Sequence, residues 1–248
     1  MRLRAAFCAG VLLLAGGCNL FKQEDDGRPD TAREFPRAYR PVSNLGGNSV
    51  SSEQARDDRR EAQTVMDLAN IRPGMTVADI GAGEGYYTVR LASKVGARGR
   101  VLAQDIDESA IKRLGIRVER ERLDNVSIKL GAEDDPRLPE KSFDRVFLIH
   151  MYHEVSEPYA FLWRLRPALR PGAQVIVVDR DRPADQHGIE PKLLFCEFDH
   201  VGFRLVEFVR KPELAGYYAQ FEAVGDRPEP QDIEPCGQPG AKETKKPS

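Results

Sequence analysis

The sequence predicts a doubly wound α/β fold, a mostly parallel seven-stranded sheet with helices on both faces and a C-terminal antiparallel hairpin. Three observations support it. Apolar runs of strand length alternate with helical patterns through the middle of the chain. A turn with three alternating glycines follows the first apolar run. Near the end, the strand-like runs Phe203 to Val209 and Tyr217 to Phe221 follow each other without a helix, which favours a hairpin.

Residues 1–17 are predicted to be a signal peptide. Basic residues precede an apolar run, Ala5 to Leu14, that is too short to span a bilayer. The segment from Leu14 to Cys18 resembles the lipobox of bacterial lipoproteins, which implies that Cys18 is lipidated and becomes the new N-terminus. The alternative is an ordinary cleaved signal in which Cys18 is incidental. We therefore expect a lipid-anchored protein of the bacterial cell envelope that faces the periplasm.

The remaining chain divides into a domain with a polar segment on either side. Residues 18–52 are polar, contain scattered Pro and Gly and show no periodicity, so they are predicted to form a disordered tether. The Pro-rich residues 226–248 are predicted to be a disordered tail. Residues 53–225 are long enough for one core. They open with an amphipathic helix, Glu53 to Ala69, which is either a lid over a ligand cleft or a covering helix.

The glycine turn is predicted to bind a nucleotide-like ligand. Gly81, Gly83 and Gly85 follow the first strand and precede a helical pattern. Such glycines allow positive φ and leave backbone N–H groups bare, so a polar ligand can approach the helix N-terminus. The dinucleotide fingerprint requires its third glycine where this chain has Tyr86, which disfavours a nicotinamide-dependent reductase. The alternative is a strand-to-helix turn that holds no ligand.

With Asp79 placed two residues before Gly81, this segment resembles motif I of the class I methyltransferases that use S-adenosylmethionine. Further segments follow that family's order from Met66 to Phe221. The resemblance implies a Rossmann-like sheet. It also implies S-adenosylmethionine as the cofactor, bound by Asp79 and the three glycines.

The second strand is predicted to supply the ribose ligand. Asp105 lies about 20 residues beyond the glycine turn, where a ribose-binding carboxylate is expected, and Ile106 beside it joins the predicted cofactor-binding set. The alternative role for this acidic stretch is to cap the next helix, which suits Asp107. Both roles are compatible, with Asp105 on the ligand and Asp107 on the cap.

The loop after the third strand carries the predicted adenine contacts. In the family this loop lies along the adenine, so the resemblance makes Glu133 and Asp134 candidates for binding the adenine amino group. The alternative is that either residue is a solvated turn residue.

Catalysis is predicted where the fourth strand ends, because open α/β sheets bind ligands beyond the carboxyl edge of their strands. His153 and Tyr152 are candidates to take a proton from an attacking hydroxyl, thiol or amine. His150 is predicted to lie beside the methionine part of the cofactor. The alternative is that these side chains only pack the strand end.

Charge and cysteine content exclude other classes. The net charge of −2 becomes about −4 without the two signal-peptide arginines, and no basic run alternates with aromatics, so we predict no nucleic-acid partner. Cys8 leaves with the signal peptide and Cys18 is the predicted anchor, so Cys196 and Cys236 are the cysteines that remain. A disulfide between them is possible in an oxidising envelope, but we predict none, because one lies in a predicted helix and the other in the tail. No metal-ligand spacing is present, so no metal is predicted.

Together these patterns predict methyl transfer from S-adenosylmethionine to a small molecule by a membrane-anchored enzyme. The cytosolic origin of S-adenosylmethionine counts against turnover outside the inner membrane. The alternative is a non-catalytic module of methyltransferase-like fold that binds a nucleoside or S-adenosylmethionine, or serves as a scaffold.

Overall fold

A mixed seven-stranded sheet forms the centre of the computed structural model, which describes residues 26–45 and 52–237. The predicted signal peptide and Cys18 lie outside these residues. The strands are β1 (Thr76–Ile80), β2 (Arg100–Asp105), β3 (Val126–Leu130), β4 (Phe143–Ile149), β5 (Leu169–Asp179), β6 (Phe203–Lys211) and β7 (Gly216–Ala223). The helices are α1 (Glu53–Asp58), α2 (Glu61–Leu68), α3 (Tyr86–Val95), α4 (Glu108–Arg120), α5 (Pro158–Leu165) and α6 (Pro191–His200). In the described part of the chain, no helix has the length and apolar character needed to cross a bilayer.

The strand order is β3-β2-β1-β4-β5-β7-β6, and the predicted fold class is confirmed. Strands β1 to β5 pair in parallel, whereas β7 runs antiparallel to both β5 and β6. From β1 the chain adds β2 and β3 on one side of the sheet and then β4 and β5 on the other side, so the order of the strands reverses between β1 and β4. Ligands of open α/β sheets bind in the crevice outside the carboxyl ends at such a reversal.

Each face of the sheet has its own apolar core, because successive side chains of a strand point to opposite faces. Along β5, Val175 and Val177 belong to the core beneath α5 and α6. Ile176 and Val178 belong to the core beneath α2 and α3. This double coverage explains why the central strands read as continuous apolar runs in the sequence.

The predicted single helix from Glu53 to Ala69 is wrong: the segment forms two helices, α1 and α2. The break is at Arg60, whose φ of 57° is left-handed and cannot continue an α-helix. The N–H of Arg60 closes the turn on the carbonyl of Asp57 at 2.7 Å. The ion pair from Arg56 to Glu61, 2.6 Å long, spans this break.

The predicted tether is not disordered over residues 26–45, which we call the N-terminal strap. Its Ala32 and Phe35 are buried in the core on the α5 side. Arg40 pairs with Glu197 of α6 at 2.8 Å, and both side chains are at most 2% exposed. Although the composition of the strap is polar, the burial of Ala32 and Phe35 and the ion pair of Arg40 fix it on the domain. The prediction of a tether over 18–52 is therefore corrected for these residues.

The predicted disordered tail is also wrong as far as residue 237. A disulfide joins Cys196 of α6 to Cys236, which corrects the prediction that these cysteines are unpaired. The indole of Trp163 donates to the carbonyl of Pro228 at 2.8 Å, and Ile233 is buried. The tail thus packs on α5 and α6.

Removing this disulfide is expected to lower the free energy of unfolding by about 2–4 kcal/mol. The bond links positions 40 residues apart and so restricts the unfolded chain. Urea unfolding of Cys196→Ser and of the wild type measures the difference. In the presence of a reductant the two curves should coincide, and a difference that persists there would show that the serine itself disturbs packing.

Candidate functional site

The glycine turn between β1 and α3 has the backbone geometry that the sequence predicts. Gly81, Gly83 and Gly85 have φ values of 68°, 54° and 86°. A methyl group added to Gly83 would meet no atom within 4 Å, whereas one at Gly81 would lie 2.9 Å from the side chain of Met151 and one at Gly85 2.5 Å from that of Leu114. Gly83 therefore borders open space, and the other two allow close packing of the protein on itself.

The prediction that the amides of this turn are bare is wrong at three positions. Ala82 N–H donates to the Gln104 carbonyl at 2.9 Å, and Gly85 N–H donates to the Ala82 carbonyl at 2.9 Å. Gly83 N–H donates to Oδ2 of Asp105 at 2.8 Å. The turn is thus held by internal hydrogen bonds. Gly85 shapes it and packs on α4, rather than offering an N–H to a ligand as predicted.

Asp105 lies at the carboxyl end of β2 and faces the glycine turn. Its Oδ2 accepts from Gly83, and its Oδ1 accepts from the N–H of Asp107 at 3.0 Å. These contacts fix a half-buried carboxylate beside Gly83, the turn residue that borders open space. A carboxylate has about four acceptor positions, so it can still bind a pair of hydroxyls. Ile106 follows at the same edge and is half-buried. Asp107 caps α4 by accepting from Ser109 N–H at 2.8 Å, as predicted.

Asp79 lies on β1 before the glycine turn and contacts α3, which follows the turn. Its side chain is buried in β1 and accepts a hydrogen bond of 2.6 Å from the Thr88 hydroxyl of α3. Burial raises the pKa of Asp79 to about 6. It therefore fixes the turn through α3, and contact with the cofactor stays a prediction.

Replacing Asp79 by asparagine is expected to raise the free energy of unfolding at pH 7 by about 1–3 kcal/mol. The usual pKa is 3.8 and burial raises it to about 6, so between these values the folded state holds a proton that the unfolded state has released. Stability of the wild type therefore falls as the pH rises through this window. Asparagine does not ionise, so its advantage exists at pH 7 and is absent below about pH 4.

Urea unfolding at pH 7 and at about pH 3.5 tests this difference. The matched control is Asp107→Asn, which alters an exposed carboxylate two positions beyond Asp105 and should bring no gain at either pH. An Asp79→Asn protein less stable than the wild type at both pH values would contradict the expected penalty of burying the carboxylate.

A charged cluster from the N-terminal helices lies above the turn, and sequence reasoning missed it. Glu61 accepts from Arg56 at 2.6 Å, from the Tyr87 hydroxyl at 3.1 Å, and lies 3.3 Å from Nε2 of His150. Burial opposes ionisation of Glu61, but hydrogen bonds from His150 and Arg56 outweigh it and lower its pKa to about 2. The Arg56 guanidinium lies 3.8 Å from the centroid of the Tyr86 ring. The signal available was that Glu61 shares the buried helix face with Val65.

His150 is part of this charged cluster, because its Nε2 lies close to Glu61. It follows β4 with a φ of 55°, and its N–H donates to the Val178 carbonyl at 2.7 Å. The next residue, Met151, packs on Gly81. The position beside the methionine part of the cofactor stays a prediction.

The two predicted catalytic residues do not reach the crevice, and both predictions are corrected. Tyr152 is fully buried and donates to Glu197 at 2.9 Å. Burial, together with the Glu197 charge, raises its pKa well above the usual value, so it is no base. His153 is also fully buried, and its Nδ1 lies 2.9 Å from Asp179. A substrate cannot meet either side chain in this conformation.

The two acidic residues of the loop after β3 have different environments. Asp134 is buried, forms an ion pair with Arg164 of α5 and accepts from the Thr31 hydroxyl of the strap at 2.6 Å. We therefore correct its assignment as an adenine ligand, since its charge is already balanced inside the protein. Glu133 is exposed and accepts from Ser156 at 3.3 Å, so its contact with adenine stays a prediction.

The chain is similar to known methyltransferases. Residues 71–194 match a family model described as a methyltransferase domain. The ubiquinone/menaquinone biosynthesis C-methyltransferase UbiE of Shewanella oneidensis is 30% identical over 131 residues, which cover 52% of this chain and 51% of that protein. The enzyme of that name from Escherichia fergusonii is 29% identical over 148 residues, covering 57% and 54%. The chain spans about half the length of these curated relatives.

Solved structures share the fold. A SAM-dependent methyltransferase from Aquifex aeolicus superposes with a TM-score of 0.59 at 24% identity, covering 69% of this chain and 97% of that one. The glycopeptide N-methyltransferase MtfA, solved with S-adenosylmethionine, gives a TM-score of 0.55 at 12% identity, with 66% and 87% covered. At these identities the likeness concerns the fold alone.

Proposed function

The chain belongs to the methyltransferase-domain family, and from that premise we propose that it transfers a methyl group from S-adenosylmethionine to a small molecule. The observation that carries the proposal is the hydrogen bond between Asp105 and Gly83, a turn residue that borders open space, at the sheet's reversal point. A carboxylate held in that way suits the two hydroxyls of an unphosphorylated ribose.

The residues around this crevice fit the two ends of the donor. Asp105 would hold the ribose, with Ile106 beside it. The ion pair of Arg56 with Glu61 is closed on itself, and His150, whose Nε2 lies 3.3 Å from Glu61, is the residue that we place beside the methionine part of the donor. When bound, the donor supplies a methyl carbon that a sulfonium has already activated for in-line displacement.

The mechanism we propose relies on alignment and exclusion of water, because Tyr152 and His153 are both engaged inside the protein. Helix α1 contacts α3 through Asp57 and Arg90 and α4 through Glu53 and Arg117, and would help to keep water from the reacting atoms. The similarity to UbiE, a C-methyltransferase by name, favours a carbon atom as the acceptor. The carbon would take the methyl group as the sulfonium leaves as a neutral thioether, and the proton that this carbon carried would be released to solvent.

We also propose that Cys18 is lipidated and anchors the domain in the bacterial envelope, facing the periplasm. The disulfide between Cys196 and Cys236 supports this, because such bonds persist in oxidising compartments and are rare in the cytosol. Labelling of cells with radioactive palmitate should mark the wild type and spare Cys18→Ser. Equal labelling of the two would refute the anchor.

The same disulfide favours a second candidate function, a non-catalytic module that binds a nucleoside or S-adenosylmethionine, or a scaffold. A protein outside the cytosol has no evident supply of the methyl donor, and neither predicted base faces the crevice. The glycine turn and Asp105 are compatible with binding in either case.

Calorimetry on protein lacking residues 1–18 tests the proposal, with S-adenosylmethionine and its demethylated product as ligands. Saturable micromolar binding of both is the expected result, since an enzyme must hold donor and product in one crevice. Binding of a plain nucleoside with equal strength would favour the non-catalytic module, and no binding of any of the three would favour a scaffold. Methyl transfer to quinone-like and phenolic acceptors then separates turnover from binding.

A further inference from the structure

Three potential metal ligands meet beside the carboxyl ends of β4 and β5. His153, Glu154 and His187 each bring one ligand atom into a group whose members all lie within 4.8 Å of one another. Nε2 of His153 is 3.9 Å from Oε1 of Glu154. The glycine turn contributes nothing to this group, so the inference does not depend on the proposed methyl transfer.

A buried carboxylate orients the first of these ligands. Both oxygens of Asp179 lie within 3.0 Å of Nδ1 of His153, and neither side chain is exposed. The backbone N–H of Arg180 donates to the same carboxylate at 2.8 Å. A proton held between Nδ1 and Asp179 places the lone pair of the ring on Nε2, on the side of Glu154. Metal-binding histidines are commonly held in this way, with a carboxylate on the other ring nitrogen.

His187 supplies an independent observation that points to a ligand. Its Nδ1 is buried and has no hydrogen-bond partner among residues 26–45 and 52–237. Leaving such an atom unpaired is costly, and a bond to a metal ion would offset that cost. The ring meets that of His153 edge to face, with centroids 5.7 Å apart. Its backbone N–H donates to the Ser43 hydroxyl of the strap at 3.1 Å, which fixes the turn that carries it.

We propose that His153, Glu154 and His187 bind a divalent transition-metal ion of the zinc class. Two imidazoles and one carboxylate are ligands that zinc accepts, and three protein ligands leave one tetrahedral position for water or a substrate oxygen. Ligands on a tetrahedral zinc ion are about 3.3 Å apart, so a small inward movement of the three side chains completes the site. Asp179 acts as a positioning residue for His153. The sequence did not reveal this site because His187 comes from a separate loop.

Titration of Zn²⁺ into the full chain, with its disulfide intact, tests the site. We expect one ion per chain with a Kd below about 1 µM, and a loss of affinity of about 100-fold or more in His187→Ala. His187 lies on a half-buried turn, so this variant should keep the metal-free melting temperature. Asp179→Asn should weaken binding by about 10- to 100-fold. With Co²⁺ in place of zinc, the visible absorption of a tetrahedral site should appear in the wild type and not in His187→Ala.

The matched control is His200→Ala, which removes a histidine from the separate group formed with Cys196 and Cys236. Those thiols are joined in the disulfide, so zinc binding should be unchanged in this variant. The proposal is overturned if the wild type binds no zinc at one equivalent, if His187→Ala binds as the wild type does, or if His200→Ala is the variant that loses binding.

Discussion

Replacing Arg40 by alanine is expected to lower the free energy of unfolding by about 3–5 kcal/mol. Its guanidinium donates to Glu197 at 2.8 Å and to the Val155 carbonyl at 2.9 Å, and both charged side chains are almost fully buried. Without Arg40, the Glu197 carboxylate would remain in the interior with no opposite charge. Breaking a buried pair from one side is costly for this reason, even where the intact pair contributes little. Urea unfolding at pH 7 measures the loss.

Arg37→Ala is the matched control for that experiment, because Arg37 belongs to the same strap but is exposed. It should change stability by no more than about 0.5 kcal/mol. Similar values for the two variants would mean that the strap does not pack on α6 in solution. A loss confined to Arg40 would show that residues 26–45 are part of the folded domain.

The central sheet could be predicted because its signals are local. Along β5, apolar residues face both cores, so Val175 to Val178 read as a buried strand without knowledge of their partners. The glycine turn is equally local, since its left-handed conformations require glycine at fixed offsets. Both features depend on residues that are neighbours in the chain.

The strap and the tail could not be predicted because their anchors are isolated and their partners distant. Arg40 meets Glu197 across 157 positions of sequence, and Arg28 meets Glu157 across 129. A single arginine among prolines and polar residues has the composition of a disordered segment. The interaction becomes visible only when the fold brings α6 beneath the strap.

In the candidate site, too, the position of the residue marked by local spacing was predicted correctly and those of the residues with distant partners were not. The spacing from the glycine turn identified Asp105, and the structure joins it to Gly83. Tyr152 and His153 were chosen for their chemistry, but chemistry cannot tell which side of the strand end a side chain faces. Their actual partners, Glu197 and Asp179, come from other elements. Asp79 was easier to place, because it lies on β1, the strand that leads directly into the glycine turn.

Replacing Asp105 by alanine is expected to weaken binding of S-adenosylmethionine by about 100-fold or more. Two hydrogen bonds from ribose hydroxyls to a charged acceptor contribute about 1.5–3 kcal/mol each. The change also removes the acceptor of the Gly83 N–H, so the turn loses one of its internal bonds. Asp105→Asn keeps an oxygen for Gly83 but not the charge, so it should fall between the wild type and the alanine variant. Calorimetry gives the affinities.

Asp107→Ala is the control, since Asp107 carries the same charge two positions away and caps α4. It should lower stability by about 1 kcal/mol and leave the affinity within about threefold of the wild type. Asp105→Ala with a normal melting temperature and a normal Kd would contradict the ribose assignment. If instead both variants lose binding equally, the start of α4 as a whole would support the crevice, and Asp105 would have no separate role.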